Sequence, residues 1–301
     1  MEPKFMMMVG LPGSGKSYFA AKIAGDDENT IILSSDKIRG ELFGDENSQA
    51  DNAKVFEELH RRALVLLKDG YNVIYDATNL NSKRRMSFLK TIDSAGISCH
   101  KTCYLMAFEY CYCLKRNAER DRFVPTKVIN SMREKFQTPY YFEGWDEIIV
   151  VREEDAWRSP VDCVFDLLDY DQCNSHHKET LGNHLNTTYL AVAEKTSDKD
   201  VGIAALLHDI GKPFVRNMAN AKGEQTDDAH YYGHENVGAY QALFYKADDP
   251  LYVSLLINLH MRPFTLKSPA SQEKYRKLWG EKVYNDVMLI HEADTKGGRD
   301  D

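Results

Sequence analysis

The chain has 301 residues, 43% of them hydrophobic, and no run approaches the roughly 20 apolar residues of a membrane helix, so it suits soluble cores of ordinary size. Its net charge of -8 is unevenly placed: residues 1–151 carry 21 basic and 21 acidic side chains, residues 152–301 carry 17 and 25, which excludes a uniformly basic nucleic-acid binder. Six cysteines without a CxxC pair read as reduced, buried thiols, Cys111 and Cys113 included, and with MEPKFMMMVG reading as a strand and not a signal peptide they predict a cytoplasmic protein.

Up to Val151 short β-rich runs (FMMMV, TIILS, NVIYD, CHKTCYLMAF, EIIVV) alternate with helical patterns, which predicts an α/β domain with a parallel sheet over residues 1–151. The first strand leads into GLPGSGKS, which fits GxxxxGK[ST] and precedes a helical pattern, SYFAAKIA. Gly10, Pro12, Gly13, Ser14 and Gly15 predict a loop whose amides wrap a phosphate. Lys16 adds charge and Ser17 a hydroxyl for magnesium, so ATP or another nucleoside triphosphate is the expected ligand. Just past the second strand, where ligands lie in such sheets, Asp36 reads either as a proton acceptor or as a helix cap, with Arg39 one turn on. The helix after Ala53 is expected to pack through Val55, Leu59, Arg62, Ala63 and Leu66, to end near Lys68 and to be capped by Gly70. Asp76 ends the next strand, placed to hold magnesium or to close a turn, with Thr78 and Asn79 as loop donors. Lys83, Arg84, Arg85 and Lys90 form one basic cluster able to meet phosphates; Lys115 to Lys135, with seven basic residues against three acidic, forms another. Either reads equally as a solvated face. Arg116 and Arg120, four apart, share a helical face that can close over a triphosphate.

Taken in order, GLPGSGKS, SSDKIRG, DATNLNSKRR and KRNAERDRFVPTKVINSM resemble the kinase module of phage-type 5′-polynucleotide kinases. The resemblance implies a P-loop kinase that moves the ATP γ-phosphate to a 5′-hydroxyl end. It implies Lys16 and Ser17 on phosphate and magnesium, Asp36 as general base, Arg39 on the acceptor phosphate, and Arg116 and Arg120 as a lid. Some relatives place Asp directly before Thr-Asn, whereas here Ala77 intervenes, which leaves the role of Asp76 open.

REEDAWRSP, residues 152–160, reads as a linker closed by its proline. From Val161 strand signals fade, and HLNTTYLAVAEK, VGIAALLHD, ENVGAYQALFYK, LYVSLLINLH and KVYNDVMLIHEAD predict a mostly helical domain over 161–301. His208 and Asp209 end an apolar run, where an unpaired buried carboxylate is unfavourable. Neighbours on a helix point about 100° apart, so both reach one ion only if it lies off the helix end and other helices bring further ligands. Candidates are His184, His234, His260 and Asp294. This order, with Gly-Lys following His-Asp, resembles the HD-domain metal phosphohydrolase superfamily over about residues 170–296. The resemblance implies His184, His208, Asp209 and Asp294 as a minimal ligand set, His234 and His260 as the extra ligands of two-metal members, and hydrolysis of a phosphoester. Mixed imidazole and carboxylate donors suit manganese, iron, cobalt, nickel or zinc. Lys212 is expected to steady substrate phosphate, or else to be a helix C-terminal charge. His176, His177 and His230 read as supporting or substrate contacts, and residues 198–200 as a solvated turn.

Joined in one chain, the two modules resemble bifunctional RNA end-healing enzymes. The expected partners are RNA or DNA ends and a nucleoside triphosphate donor, with a separate ligase left open and no membrane. The expected activities are 5′-OH phosphorylation and metal-dependent 2′,3′-cyclic phosphodiesterase or phosphomonoesterase action. Two alternatives stand beside this: a kinase and phosphohydrolase of free nucleosides or nucleotides, and a nucleotide-gated sensor.

Overall fold

The computed structural model describes residues 2–46, 48, 51–120, 122–153, 157–175 and 179–297. The chain divides into two units, one of residues 1–132 with 139–153, the other of residues 133–138 with 154–301.

The first unit runs β1 (Lys4–Val9), α1 (Lys16–Ala24), β2 (Thr30–Ser34), α2 (Ser35–Phe43), α3 (Asn52–Lys68), β3 (Asn72–Asp76), α4 (Ser82–Ser94), β4 (His100–Met106), α5 (Tyr110–Ala118), α6 (Thr126–Arg133) and β5 (Glu147–Val151). The strands form one parallel sheet in the order β2-β3-β1-β4-β5. Phe5 to Val9 of the central strand are all buried, as a strand covered on both faces requires. Met6, Met8, Ala20, Ile74 and Met106 cluster on one face. On the other, Phe5 meets Phe88 and Tyr75 edge-on at centroid distances of 5.4 and 6.0 Å. Each such side chain contributes about 1.5–3 kcal/mol by leaving water. Asp76 pairs in register with Ser34 on one side and Met8 on the other, so β1, β2 and β3 end level. That alignment brings the loops after all three strands to one edge.

Helix α3 buries Val55, Leu59, Ala63 and Leu67. Leu66 is only half-buried, and Arg62 turns to Glu41 and Glu58 at 2.6 and 2.7 Å. Arg85 departs from the expected basic cluster: it is 1% exposed and forms a two-pronged ion pair with buried Glu143, at 2.7 and 2.6 Å, so it is closed to phosphate. Lys83, Arg84 and Lys90 are exposed.

The second unit runs α7 (Pro160–Phe165), α8 (Leu181–Ala193), α9 (Lys199–Leu207), α10 (Lys212–Val215), β6 (Asn217–Ala219), β7 (Gln225–His230), α11 (His234–Ala242), α12 (Pro250–Leu259), α13 (Pro269–Trp279) and α14 (Glu281–Gly297). Among its described residues the only strands are those of the antiparallel hairpin β6–β7. The hairpin left no alternating apolar pattern because its residues, NMA and QTDDAH, are short and polar. Pro160 opens α7 instead of closing the preceding segment, with Ser159 capping the helix. Residues 154–156 of the expected linker lie outside the described residues. The turn at 198–200 is more than solvated: Asp198 caps α9, and Asp200 accepts the backbone N–H groups of Asp248 and Asp249 at 2.9 and 3.0 Å. Among the thiols Cys99, Cys103 and Cys113 are buried, Cys163 and Cys173 half-buried, and Cys111 exposed against expectation.

Residues 133–138 belong to this helical unit. Phe136 is buried edge-on against Tyr240 at 5.2 Å, Thr138 and Ser254 share a 2.8 Å hydroxyl hydrogen bond, and buried Asn258 donates to the Phe136 carbonyl at 3.1 Å.

Candidate phosphate-transfer and metal sites

The loop after β1 wraps as its sequence demands. Gly13 has φ +80°, and a Cβ there would lie 2.1 Å from the Cys113 carbonyl oxygen, so only glycine lets α5 close on the loop. Lys16 Nζ donates to Leu11 O at 2.8 Å. Burial lowers the Lys16 pKa, opposed by the nearby Asp76 carboxylate. Ser17 Oγ donates to Asp76 Oδ2 at 2.7 Å. Burial raises the pKa of Asp76, against the pull of that hydrogen bond and of Lys16. A hydroxyl and a buried carboxylate in contact at the phosphate loop fit a magnesium site. Thr78 and Asn79 serve the loop from within: Thr78 O accepts from Gly10 N at 3.1 Å, and Asn79 Nδ2 donates to Met8 O at 2.8 Å.

Asp36, in the first turn of α2, is held by Arg39 Nη1 at 2.9 Å, and Arg39 Nη2 donates to Asn52 Oδ1 at 2.9 Å. Arg39 is therefore buried beside the expected base. Arg116 stacks on the rings of Tyr112 and Phe108, 4.6 and 5.7 Å from their centroids, with its guanidinium against Gly15. Arg120 lies beyond the end of α5, so the two arginines do not share a helical face, yet the Arg120 cation acts on the charges of Lys16 and Asp76. Sequence reasoning passed over Arg122, which pairs with Asp36 Oδ2. Its signal was its place in KRNAERDRF, two residues past the arginine pair that helical spacing favoured.

In the helical unit all six expected metal ligands converge. His208 caps the C-terminal end of α9, Asp209 follows it, His184 comes from α8, His234 opens α11, His260 caps the C-terminal end of α12 and Asp294 lies in α14. They form two triplets, His184–His208–Asp294 and Asp209–His234–His260, each with its ligand atoms within 4.8 Å of one another. Asp209 faces both. Its Oδ2 is 3.6 Å from His184 Nε2 and 3.4 Å from His208 Nε2; its Oδ1 is 3.0 Å from His234 Nε2 and 3.6 Å from His260 Nε2. Asp294 Oδ1 completes the first triplet, 3.0 Å from His184 Nε2.

The donor set fits divalent ions in its tautomers as well. His208, His234 and His260 each present Nδ1 to a backbone carbonyl three residues earlier, at 2.8, 2.7 and 2.7 Å. An N–H donated there leaves the Nε2 lone pair facing the centre, as metal-ligating imidazoles do. The electrostatics agree. Burial disfavours charge on His208, yet the Asp209 and Asp294 carboxylates outweigh it and raise its pKa, so the pocket draws positive charge, a proton without metal or a metal ion in the proton's place. Burial likewise disfavours the Asp209 anion, but Lys212, His208 and His234 hold it well below the usual carboxylate range. Two buried carboxylates among imidazoles demand positive charge.

Gly211 makes the convergence possible. A Cβ there would stand 2.0 Å from His234 O and 2.7 Å from Gly238 N, so the glycine lets the chain after Asp209 press onto α11. Lys212 is buried, with Nζ 2.6 Å from Asp209 Oδ2 and 2.7 Å from Gln172 Oε1. It braces the shared carboxylate directly. Gln172 carries no sequence signal for this contact. His230 Nε2 lies 3.0 Å from Thr226 Oγ1 and its ring stacks on Tyr232, whereas His176 and His177 lie outside the described residues.

Residues 5–139 match the AAA domain family and residues 179–296 the HD domain family. The chain is 34% identical over 261 residues to the L-seryl-tRNA(Sec) kinase of Methanococcus maripaludis, an alignment covering 74% of this chain and 92% of that protein. Among solved structures it is similar to the Pnkp1/Rnl/Hen1 RNA repair complex (25% identity, TM-score 0.38, 44% of this chain and 43% of that one). It is also similar to a fungal RNA kinase (14% identity, TM-score 0.39, 54% of this chain and 42% of that one). The chain thus spans under half the length of either structure. It joins a kinase domain that implies ATP and magnesium to an HD domain of the kind that binds divalent metals, and it belongs to the family of P-loop kinases that includes the Methanococcus maripaludis enzyme.

Proposed function

We propose that this chain is a bifunctional RNA end-healing enzyme of the cytoplasm, phosphorylating 5′-OH ends and hydrolysing 2′,3′-cyclic or terminal phosphates at the other end. The observation that carries the reading is the coexistence, in one chain, of a phosphate loop with its Ser17–Asp76 contact and four imidazoles and the Asp294 carboxylate gathered about Asp209. In the kinase step Lys16 and the loop amides would hold the triphosphate, Ser17 and Asp76 would hold magnesium, which supplies charge at the phosphates, and Arg116 and Arg120 would meet the developing charge. The acceptor hydroxyl gives its proton to Asp36 as its oxygen bonds to the γ-phosphorus. The bond from that phosphorus to the β,γ-bridging oxygen breaks, and its electron pair leaves with ADP.

In the helical unit His184, His208, Asp209, His234, His260 and Asp294 would hold one or two divalent transition metals, which supply charge at the phosphorus and a reactive water. Asp209 fixes the spacing of the two triplets and Lys212 fixes Asp209. Water oxygen bonds to phosphorus, one phosphoester bond breaks, and the departing sugar oxygen takes the proton that the water gives up.

The 34% identity to an L-seryl-tRNA(Sec) kinase favours a second reading, in which the kinase acceptor is a hydroxyl carried elsewhere on an RNA, such as that of a tRNA-linked serine. One experiment separates them. An RNA with a 5′-OH and a 2′,3′-cyclic phosphate is incubated with ATP, magnesium and manganese, in parallel with a seryl-tRNA, and every end is followed. Phosphorylated 5′ ends together with opened cyclic ends support end healing; phosphate on the seryl group alone supports the second reading.

A further inference from the structure

His291 takes no part in either step above, yet it stands on α14 three residues before the ligand Asp294, on the same helical face and about 4.5 Å away along the axis. Its ring meets that of Phe264 edge-on, with centroids 4.5 Å apart and planes at 85°. Phe264 lies in the short turn Pro263–Thr265 that follows the ligand His260, so this contact joins the elements that carry Asp294 and His260. The charges of both ligands act on His291. Phe264 is 45% exposed and His291 half-buried, so the corner they form opens to solvent. The ligands His208, His234 and His260 each present Nδ1 to a backbone carbonyl, whereas Nδ1 of His291 is buried with no hydrogen-bond partner among the described residues.

A buried polar nitrogen is unfavourable until it is paired, and the group that pairs this one has to come with what enters the metal site. Phosphate oxygens go to the cations. On a phosphate carried by ribose the next polar group is the hydroxyl of the neighbouring carbon, which both donates and accepts and so satisfies an imidazole nitrogen in either tautomer. We propose that His291 is a specificity-determining residue of the phosphohydrolase site: its Nδ1 pairs with the ribose hydroxyl next to the phosphate, so that the substrate is a 2′- or 3′-phosphomonoester of RNA and not of DNA. Phe264 fixes the plane of the ring. The inference rests on the phosphohydrolase reading above and deepens it. The form recognised is the monoester left once a 2′,3′-cyclic phosphate has opened, because the cyclic ester has no free hydroxyl beside its phosphorus.

The test uses the full chain loaded with manganese, without ATP, and three substrates: adenosine 3′-monophosphate, its 2′-deoxy counterpart and p-nitrophenyl phosphate. Wild type is expected to favour the ribonucleotide over the deoxynucleotide by about tenfold or more in kcat/KM. His291→Phe keeps an aromatic ring against Phe264 and removes the nitrogen, so the ratio should fall towards one. His291→Gln retains a donor and an acceptor and should keep part of the preference. Manganese content, measured by elemental analysis, should match wild type in both variants. Structural damage lowers the two nucleotide rates together and leaves their ratio standing. A wild-type ratio near one, a ratio that survives His291→Phe, or a loss of manganese that accounts for the change overturns the inference. Failure of the phosphohydrolase reading looks different: none of the three substrates, p-nitrophenyl phosphate included, is hydrolysed in a metal-dependent way, and the inference falls with it.

Discussion

Ser17 Oγ and Asp76 Oδ2 are joined by a 2.7 Å hydrogen bond that links the phosphate loop to the last residue of β3. Ala77 separates Asp76 from Thr78 and Asn79, but register with Met8 and Ser34 brings the carboxylate to the loop regardless. Asp76→Asn is expected to lower the kinase rate about 100-fold and to raise the magnesium needed for half-maximal rate. Burial raises the Asp76 pKa, so its ionised form opposes folding as pH rises from 3.8 through the raised value. The same variant should therefore melt higher than wild type without magnesium, and unfolding scans with and without the ion check this.

Gly211 lies where two backbone segments touch. Gly211→Ala forces a methyl onto His234 O, the residue that opens the second triplet, and overpacking of this kind costs about 1–3 kcal/mol. Phosphoesterase activity and metal content, measured by elemental analysis, should fall together, with kinase activity kept.

His60 supplies a pH dependence away from both sites. Its ring stacks on Phe88 at 4.2 Å, and burial lowers its pKa from 6.5. A neutral folded imidazole contributes stability that is complete above pH 6.5 and is lost as pH falls below it towards the lowered value. His60→Phe keeps the stack and removes the titration, so its melting temperature should fall less than that of wild type on acidification through this window.

Asn258 ties residues 133–138 into the helical unit, donating to Phe136 O at 3.1 Å and to Asn236 Oδ1 at 2.9 Å. Asn258→Ala removes the donor from both acceptors and is expected to destabilise this unit by about 1–3 kcal/mol. A fragment beginning at residue 154 lacks the segment altogether and should melt lower than the same fragment with a peptide spanning 133–138 added in excess.

Local pattern made much of this legible. The five β-rich runs are the five strands, because a parallel sheet buried on both faces writes continuous apolar runs, and the phosphate loop carries a motif whose glycines have steric work to do. The six residues of the candidate metal site were legible because their order resembles that of HD-domain phosphohydrolases, and because His-Asp at the end of an apolar run calls for charge from other helices. What pattern could not show was the partner of each charge. Arg85 reads as a surface cation until Glu143, 58 residues away, is found beneath it, and Lys212 reads as a substrate contact until Gln172 and Asp209 enclose it. The β6–β7 hairpin and the membership of 133–138 in the helical unit were hidden for a related reason. Both depend on long-range pairing of polar or short segments that carry no periodicity of their own.

Kinase and phosphoesterase rates measured side by side in Asp36→Asn and Asp209→Ala test most directly whether one chain holds two chemically independent centres. Asp36→Asn should lose kinase activity about 100-fold or more while hydrolysis persists, and Asp209→Ala should lose metal and hydrolysis while kinase activity persists. Loss of both activities from either substitution, or of neither, contradicts the account.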